Sequence, residues 1–365
     1  MRSLRILGRP HGLLKMSRKI ENLKILGNWL PLKEMHNPRE AYLSLSPEQK
    51  KHIDEFNKDI SQGRIKFEQV PCLCSNNEFF LLASVDKYSL SQQTVMCAKC
   101  GLVQSNPRMT EEQYKLFYSS DIYRNIYRPN DSLKKYNSCG PSSGKAIFET
   151  ICKVKKLEEI NSVLEIGAGG GWNLMPFKKE GVTTTGYDYS PSLVSLGKKN
   201  GLDLFQGGID DINGSFDLII LNHVVEHFNN PVDDLKKIKK HLNPNGIIYI
   251  SVPNIENFGM TQIQNAHTYY FTPLTLQYFM SISGLKPIYH CSVRKTQCLV
   301  AIFVKDEEFL AGNLSENYRR MLSIIKKYRY CSFMVFMAER IKKTIIKLLE
   351  LVGLKRFIFK VINKR

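Results

Sequence analysis

The stretch from residue 163 to residue 172 constrains the fold of this chain more than any other. A short apolar run carries a carboxylate at Glu165 and leads directly into a cluster of glycines. Sequence compatible with a helix resumes at Leu174. This order is typical of a buried parallel strand that turns sharply into a helix. Glycine permits positive φ and lets a ligand approach the backbone closely, so the turn predicts a ligand site.

Two classes of ligand use such a turn. A dinucleotide site requires the spacing G-x-G-x-x-G, which places pyrophosphate at the helix N-terminus. Here the third glycine would fall at Trp172, and the carboxylate of Glu165 would lie unfavourably beside the pyrophosphate. A carboxylate at this position suits a cationic group of the ligand instead. An ordinary glycine-rich turn that binds nothing is the remaining alternative.

The turn resembles motif I of the class I S-adenosylmethionine (SAM) methyltransferases, whose usual form is acidic-x-G-x-G-x-G. The positions that match are Glu165, Gly167, Gly169 and Gly171. The resemblance implies that the glycines let the backbone approach SAM. It also implies that Glu165 engages the amino-acid end of SAM or holds the turn.

Strand and helix patterns alternate from this turn to residue 305. This alternation predicts an α/β fold with a doubly wound, mostly parallel sheet that ends in an antiparallel strand. The predicted strands span residues 163–166, 183–187, 202–205, 216–221, 247–252, 285–291 and 297–304. A helix is expected over residues 146–160, and a turn over residues 243–246.

Polar residues follow the carboxyl ends of these strands, which is the edge where open α/β sheets bind ligands. Asp188 lies 21 residues after Gly167, where a carboxylate could accept both ribose hydroxyls. Asp210 and Asp211 follow the third strand and could contact the adenine amino group. A helix cap or a solvated turn is the alternative for these two. Asn222 follows the fourth strand and is expected to face the same site.

Three histidines are candidates for a general base. A base assists methyl transfer to an alcohol, and histidine is the usual base near neutral pH. His223 and His227 follow the fourth strand, and His267 lies in an aromatic-rich stretch where a substrate loop is expected. We rank His267 and His223 ahead of His227, which could instead pair with Glu226. A structural role is the alternative for each.

Five motifs, in order, resemble the "methyltransferase 23" group of class I SAM enzymes over residues 140–305. They are V-L-E-I-G-A-G-G-G, G-Y-D-Y-S-P, F-D-L-I-I-L-N-H-V-V-E-H, L-N-P-N-G-I-I-Y-I-S-V-P-N and H-T-Y-Y-F-T-P-L-T-L. Five ordered motifs are far more specific than one. The resemblance implies a SAM-dependent methyltransferase, and relatives with a ribbon-like N-terminus favour a sugar or a surface-glycan precursor as the acceptor.

Four cysteines precede this region in two close pairs, Cys72 with Cys74 and Cys97 with Cys100. Four thiolates can close a tetrahedral structural zinc site. Residues 97–108 resemble the zinc-ribbon-like module that precedes some bacterial methyltransferases, and a tyrosine-rich segment follows. The first pair is C-x-C rather than C-x-x-C, so a ribbon held by packing alone is the alternative. A redox disulfide is less favoured, because no thioredoxin-like pattern surrounds the second pair.

The net charge of +18 lies mostly outside the predicted methyltransferase region. Residues 161–305 carry 12 basic and 11 acidic residues. Residues 1–20 carry six basic and no acidic residues, and residues 340–365 carry nine basic and one acidic. Nucleic acid is therefore not the expected partner, because an enzyme acting on it carries basic surface beside its active site. Basic ends suit an anionic membrane or a protein partner, or serve only as solubilising tails.

Apolar and basic residues interleave from Ile341 onward, which predicts a basic amphipathic helix that breaks near Gly353. Such a helix could lie on an anionic membrane, or pack its apolar face on the domain or in a dimer. No apolar stretch approaches the roughly 18 residues of a membrane span. The first 20 residues lack the apolar core of a signal peptide. A cytoplasmic protein is expected, and docking on the inner face of the membrane is one of the alternatives for its basic tail.

Four regions are predicted. Residues 1–70 form a basic extension with a short helix from Pro47, residues 71–140 the ribbon-like module and linker, residues 141–305 the SAM domain, and residues 306–365 a helical tail. The predicted function is O-methylation of a sugar or surface-glycan precursor. The alternatives are an O-methyltransferase of a quinone or other lipophilic small molecule, an RNA-modifying or nucleic-acid-binding protein, and a non-catalytic SAM-binding scaffold.

Overall fold

A computed structural model of the protein describes residues 24–28, 41–127, 131–293 and 297–351. The basic segment 1–20 and the predicted helix break near Gly353 lie outside these residues. The strands are β1 Lys24–Asn28, β2 Phe67–Glu68, β3 Glu78–Val85, β4 Ser91–Cys97, β5 Val103–Ser105, β6 Arg108–Met109, β7 Ser162–Ile166, β8 Thr183–Asp188, β9 Asp203–Gln206, β10 Phe216–Asn222, β11 Leu242–Pro253, β12 Tyr269–Tyr270, β13 Leu285–Val293 and β14 Cys298–Lys305. The helices are α1 Pro47–Ser61, α2 Glu111–Ser119, α3 Asp121–Tyr127, α4 Asp131–Cys152, α5 Met175–Lys179, α6 Pro191–Lys199, α7 Pro231–Lys240, α8 Pro273–Ser281 and α9 Ser315–Leu351.

A seven-stranded sheet with the order β13-β14-β11-β10-β7-β8-β9 forms the centre of the molecule. Strand β14 runs antiparallel to both of its neighbours, and the strands from β11 to β9 pair in parallel. The predicted fold class is therefore confirmed. The strand order changes direction beside β7 and β10, so their carboxyl ends border the crevice where such sheets bind ligands.

Both faces of this sheet are buried, which explains the nearly continuous apolar strands. Alternate residues point to opposite faces. Leu164 and Ile219 pack with Leu235 of α7 on one face. Val163 and Leu218 pack with α4, α5 and α6 on the other.

Two predicted elements need correction. The expected turn at residues 243–246 is a bulge inside β11, because Leu242 pairs with Phe216 and the pairing resumes at Ile247 with Leu218. The helix expected over residues 146–160 is α4, which begins at Asp131 and ends at Cys152. It ends there because the backbone N–H groups of residues 154 and 155 both donate to the Ile151 carbonyl, which closes the last turn.

The short N-terminal helix is confirmed as α1. Pro47 occupies its first position, and Ser46 and Gln49 form a reciprocal capping box. The Ser46 Oγ accepts from the Gln49 N–H at 3.1 Å, and the Gln49 Oε1 accepts from the Ser46 N–H at 3.1 Å. These bonds satisfy donors that a helix start otherwise leaves unpaired.

A second sheet joins the cysteine-containing segment to the methyltransferase region. Its order is β1-β3-β4-β5-β12, and β12 belongs to the segment that follows β11. Tyr269 pairs with Gln104 and Tyr270 with Val103. The Ser105 Oγ also donates to the His267 carbonyl at 2.6 Å. The loop that carries His267 is therefore attached to the N-terminal segment through β12 and the Ser105 hydrogen bond.

Helix α9 begins at Ser315, well before Ile341, where sequence patterning placed the start of the C-terminal helix. Its first turns bury Met321 and Ile325 against the second sheet. The buried Asn317 donates from Nδ2 to the Cys100 carbonyl at 2.9 Å and accepts from the Thr272 Oγ1 at 2.6 Å. The beginning of the tail thus packs into the core, and the predicted region boundaries stay predictions.

Alanine at Gly101 is expected to destabilise the protein more than alanine at Gly63. Both glycines adopt nearly the same φ, +72° and +71°, which costs an alanine about 1–2 kcal/mol. A Cβ on Gly101 would lie 2.6 Å from the Tyr318 Cα, whereas nothing lies within 4 Å of a Cβ on Gly63. The clash adds roughly 1–3 kcal/mol. Denaturant unfolding of Gly101→Ala and Gly63→Ala measures this difference, and equal losses of stability would contradict the packing of α9 on the cysteine loop.

Candidate functional site

The glycine turn after β7 has the backbone conformation that its sequence requires. Gly167, Gly169 and Gly171 have φ values of 68°, 56° and 78°, in the left-handed region where a Cβ is unfavourable. The Gly171 N–H donates to the Ala168 carbonyl at 2.8 Å and closes the turn. Backbone groups are thereby exposed to a ligand at the end of β7 without side chains in between.

Asp188 lies at the end of β8 and fastens this turn. Its Oδ2 accepts from the Gly169 N–H at 2.8 Å, and its Oδ1 accepts from the Ser190 N–H at 2.8 Å. Burial raises the pKa of Asp188, and the two N–H donors oppose that rise. Each carboxylate oxygen retains a lone pair that could accept from a ribose hydroxyl.

Glu165 is almost fully buried beneath the turn. Its Oε1 accepts from Asn173 Nδ2 at 2.6 Å, while its Oε2 has no hydrogen-bond partner among the described residues. Burial raises the pKa of Glu165 to about 8, against the opposing effect of Asn173. A buried, half-satisfied carboxyl group is suited to a cationic ligand group that would favour its ionised form. Asn173 lies two residues after the last glycine and was not among the predicted site residues.

The two aspartates after β9 have protein partners. The Asp211 Oδ2 accepts from the Gly208 N–H at 2.8 Å and so caps its own short 3-10 turn. The Asp210 Oδ1 accepts from Lys237 Nζ at 2.7 Å, which lowers the pKa of Asp210. The Asp211 contact corresponds to the helix-cap alternative, whereas Asp210 forms an ion pair that was not predicted, and an adenine contact stays a prediction. Asn222 ends β10, paired with Ser251 of β11.

His223 follows β10 with a positive φ of 57°. Its Nδ1 lies 3.1 Å from the Glu226 Oε1, and its Nε2 lies 3.7 Å from the Cys298 Sγ. Desolvation opposes protonation, but the hydrogen bonds to Cys298 and Glu226 prevail and raise the pKa of His223 to about 10. A histidine that is protonated at neutral pH is a proton donor rather than a base.

The Nδ1 atom of His227 lies 2.7 Å from the Ala266 carbonyl oxygen and 2.9 Å from the Tyr118 Oη. A carbonyl only accepts, so Nδ1 carries the proton when the ring is neutral. The lone pair is then on Nε2, which lies 4.0 Å from the Glu226 Oε1. His227, which ranked last by sequence, is therefore fixed in a tautomer that could accept a proton.

His267 is buried, and its ring packs edge-on against that of His227 with centroids 5.0 Å apart. Burial lowers the pKa of His267 well below its ordinary value, so the ring is neutral. Its Nδ1 has no hydrogen-bond partner among the described residues. The fold thus gathers all three predicted histidines around Glu226, a residue that the sequence analysis considered only as a partner of His227.

The four cysteines also meet in space. Their Sγ atoms all lie within 4.8 Å of one another, with 3.4 Å between Cys72 and Cys100 and 3.6 Å between Cys74 and Cys97. These distances exceed a disulfide bond of about 2.05 Å. They approach the roughly 3.8 Å edge of a tetrahedron with zinc–sulfur bonds of about 2.3 Å. Ser75 has a φ of 62°, and this sharp turn lets the C-x-C pair face one centre.

The pKa values of the Cys97 and Cys74 thiols are lowered, whereas those of Cys72 and Cys100 are raised by neighbouring thiols and by burial. Asn76 Nδ2 and the Lys99 N–H each donate to the Cys97 Sγ at 3.4 Å. Hydrogen bonding by Cys100 is the largest cause that lowers the pKa of Cys97. The donor set therefore fits a zinc ion.

A cavity of about 580 Å³ lies beside the histidine group, at the carboxyl end of β11. Most of its lining is polar and includes Asn254, Gln297 and Arg320 of α9, while Cys298 and Ile324 contribute apolar surface. Cys298 connects the cavity to His223. Its walls come from distant parts of the chain, so no local sequence signal could reveal it.

A model of a known protein family matches much of this region. Residues 110–290 match Methyltransf_23, described as a methyltransferase domain. The glycine turn and the sheet order agree with that match. These residues form a class I SAM-dependent methyltransferase domain.

Several curated relatives of this methyltransferase are named ubiquinone biosynthesis O-methyltransferase. The protein from Rickettsia canadensis (strain McKiel) is 24% identical over 187 residues, which cover 45% of this chain and 75% of that protein. The mitochondrial protein from Schizosaccharomyces pombe is 31% identical over 100 residues, which cover 24% of this chain and 36% of that protein. Two further Rickettsia matches span 40% of the relative's length.

Solved methyltransferase structures are also similar to this chain. Magnesium protoporphyrin IX methyltransferase from Synechocystis, with bound SAH, is 14% identical with a TM-score of 0.41, covering 53% of this chain and 98% of that one. The plantazolicin methyltransferase in complex with SAH is 15% identical with a TM-score of 0.41, covering 54% and 98%.

Proposed function

We propose that this methyltransferase transfers the methyl group of SAM to an oxygen of a lipophilic acceptor of the quinone class, at a membrane surface. The names of the curated relatives support a quinone-class acceptor. They favour it over the sugar or surface-glycan precursor that the N-terminal resemblance suggested. The near-neutral charge around the site speaks against an RNA substrate.

SAM supplies an electrophilic methyl group, so the protein must orient the acceptor and exclude water. The glycine turn after β7 would receive the cofactor, with Asp188 at the ribose and Glu165 toward the amino-acid end. The histidine group after β10 lies at the same edge of the sheet, where the acceptor hydroxyl would lose its proton. The cavity between β14 and α9 offers room for an acceptor beside this group.

The helix α9 supports a membrane location. Six of its apolar side chains are exposed and fall on one helical face at spacings of three and four residues: Tyr330, Phe333, Met334, Met337, Ile341 and Ile345. Nine basic residues occur in the sequence from residue 340 to the end. An exposed apolar stripe with basic residues is typical of helices that lie on anionic membranes. In the described part of the chain, no helix is both long and apolar enough to cross a bilayer.

A methyl-transfer assay tests the acceptor. Purified protein is incubated with SAM that carries a labelled methyl group and with either a hydrophobic catechol or a sugar nucleotide, in the presence of vesicles. We expect label on an oxygen of the catechol. Transfer only to the sugar nucleotide would restore the glycan proposal, and SAM binding without transfer to any acceptor would favour the scaffold alternative.

Vesicles with anionic lipids are expected to bind the protein, and a charge within the apolar stripe is expected to abolish binding. Burying two apolar side chains contributes roughly 3 kcal/mol or more to membrane affinity. Phe333→Glu with Met337→Glu should therefore weaken binding by at least about 100-fold in a flotation assay. Leu310→Glu is the matched control, since Leu310 is an exposed apolar residue outside α9. Equal flotation of both variants would exclude the stripe as the docking surface.

Binding of SAM is expected to release a proton from Glu165. The pKa of this buried carboxyl group is about 8 in the free protein, so at pH 7 roughly 0.9 of the molecules are protonated. The SAM ammonium group favours the carboxylate and lowers that pKa. SAM affinity should therefore rise with pH toward about 8 and fall at higher pH, where the SAM amino group loses its own proton.

Calorimetry in buffers of different ionisation enthalpy measures the released proton. The difference between wild type and Glu165→Gln cancels any proton that SAM itself exchanges. A variant with the same proton release as wild type would show that Glu165 does not engage a cation.

We also infer that the four cysteines hold a structural zinc ion. The arrangement of their Sγ atoms and the donors around Cys97 support this assignment. The zinc would fix the loop of residues 97–100 on which α9 packs through Asn317.

A further inference from the structure

We propose that Glu226, His227 and His267 form a second metal site, for a divalent transition metal ion such as Zn²⁺ or Fe²⁺. One carboxylate oxygen and one ring nitrogen from each histidine lie within 4.8 Å of one another. A bound ion, at about 2.1 Å from each ligand, would draw these atoms closer together. Two histidines and a carboxylate are a donor set that zinc and iron prefer.

Two buried polar atoms in this group lack partners. The Oε2 of Glu226 and the Nδ1 of His267 have no hydrogen bond among the described residues. Their side chains are 1% and 8% exposed, so water has little access to either. Burying a carboxylate oxygen and a ring nitrogen without partners is unfavourable. A shared metal ion would satisfy both atoms at once.

His227 is oriented as metal-binding histidines usually are. Its Nδ1 donates to the Ala266 carbonyl at 2.7 Å, which leaves the Nε2 lone pair on the side of Glu226. Tyr118 Oη donates to the same carbonyl at 3.1 Å and supports the ring. A hydrogen bond from the second ring nitrogen to a carbonyl fixes both the tautomer and the direction of the ligand atom.

The backbone around Glu226 is held by Thr268, the residue that precedes β12. The Thr268 N–H donates to the Glu226 carbonyl at 2.9 Å, and the Thr268 Oγ1 lies 2.9 Å from the same oxygen and 2.6 Å from the Phe228 carbonyl oxygen. His223 Nδ1 lies 3.1 Å from the other carboxylate oxygen, Oε1. The segments that carry the three ligands are thus tied together before any ion binds, and the remaining coordination positions are left for water or an acceptor.

The place of the site gives such an ion a role. It lies after β10, at the sheet edge where SAM is proposed to bind. A metal ion there would bind the acceptor hydroxyl and lower its pKa, so that the hydroxyl would lose its proton to water rather than to His227. The resulting oxyanion would take the methyl group from the SAM sulfur, and S-adenosylhomocysteine would leave. This role rests on the proposed function, whereas metal binding itself does not depend on it.

Cobalt loading tests the site in the full-length protein, because cobalt substitutes for zinc and reports its ligands. The protein is stripped with a chelator and titrated with Co²⁺ under reducing conditions. We expect one equivalent of Co²⁺ to bind without a thiolate-to-cobalt charge-transfer band, because its ligands are histidines and a carboxylate. Any Co²⁺ bound by the four cysteines would show that band. Glu226→Gln and His267→Gln should each lose the Co²⁺ equivalent that lacks the charge-transfer band, and both variants should still bind SAM. His290→Gln is the matched control, since His290 is an exposed histidine on β13.

Wild-type protein without an equivalent outside the cysteines would overturn the proposal, and so would Glu226→Gln that retains it. If the variants do not fold, histidine modification of the wild type decides the question. Bound Co²⁺ should slow carbethoxylation of His227 at least tenfold and leave His290 unchanged, as read by mass spectrometry. Equal rates with and without Co²⁺ would reject the site. SAM binding is measured separately, so loss of the metal proposal leaves the proposed function standing.

Discussion

Asp188→Ala is expected to weaken SAM binding by roughly 100-fold or more. The carboxylate accepts from the Gly169 and Ser190 N–H groups, each at 2.8 Å, so it holds the glycine turn in its ligand-ready conformation. In the proposed complex it also accepts the ribose hydroxyls. A hydrogen bond to a charged group contributes about 1.5–3 kcal/mol, so the loss of two such bonds gives an effect of this size.

Calorimetric titration with SAM, and separately with NAD, measures this effect. Asp203→Ala is the matched control, because Asp203 is an exposed aspartate on the neighbouring strand β9. Asp188→Asn should lie between wild type and alanine, since its amide oxygen replaces only one of the two acceptors. A change of less than about threefold in Asp188→Ala would place the cofactor elsewhere, and binding of NAD instead of SAM would contradict the assignment of residues 110–290 to the SAM-dependent methyltransferases.

Cys97→Ser is expected to release the zinc ion and to lower the melting temperature by roughly 10 °C. Cys97 ends β4, is buried, and receives hydrogen bonds from Asn76 and Lys99. Binding of a structural zinc ion contributes directly to folding, and loss of about 3–5 kcal/mol corresponds to a shift of this order. The loop of Cys100 also loses its fixed contact with Asn317 of α9.

Metal analysis and thermal unfolding, each with and without a chelator, measure the two effects. Cys331→Ser is the control, because Cys331 is an exposed cysteine on α9. A chelator should lower the melting temperature of wild type and of Cys331→Ser, but not that of Cys97→Ser. Wild-type protein that contains no zinc and melts like Cys97→Ser would support the ribbon held by packing alone.

Sequence patterning could predict the central sheet because its signals are local. Strands such as β7 and β10 are buried on both faces and therefore appear as unbroken apolar runs. The cluster of glycines after β7 predicts positive φ, because residues with a Cβ rarely adopt it. The boundaries of β11 and α4 were less accurate, because a bulge and a helix end depend on pairing with distant residues.

The candidate acceptor side could not be predicted in the same way. Glu226 and His267 are separated by 40 residues of chain and meet through the Thr268 N–H bond to the Glu226 carbonyl. The cavity needs Arg320 from α9, and nothing in the local pattern of residues 315–340 indicates that this helix begins so early. Tertiary contacts therefore determine the tautomer of His227 and the directions of the pKa shifts of His223 and His267.

The pairing of β5 with β12 limits which fragments of this protein could fold alone and how its sequence could change in evolution. Residues 141–305 carry the cofactor motifs. An isolated fragment with these bounds would lack β5, the strand that pairs with β12 beside His267. If residues 141–305 were exchanged between homologous proteins, β12 of one protein would have to pair with β5 of another. The two halves are thus expected to change together, and new acceptor selectivity to arise from substitutions on both sides of this junction.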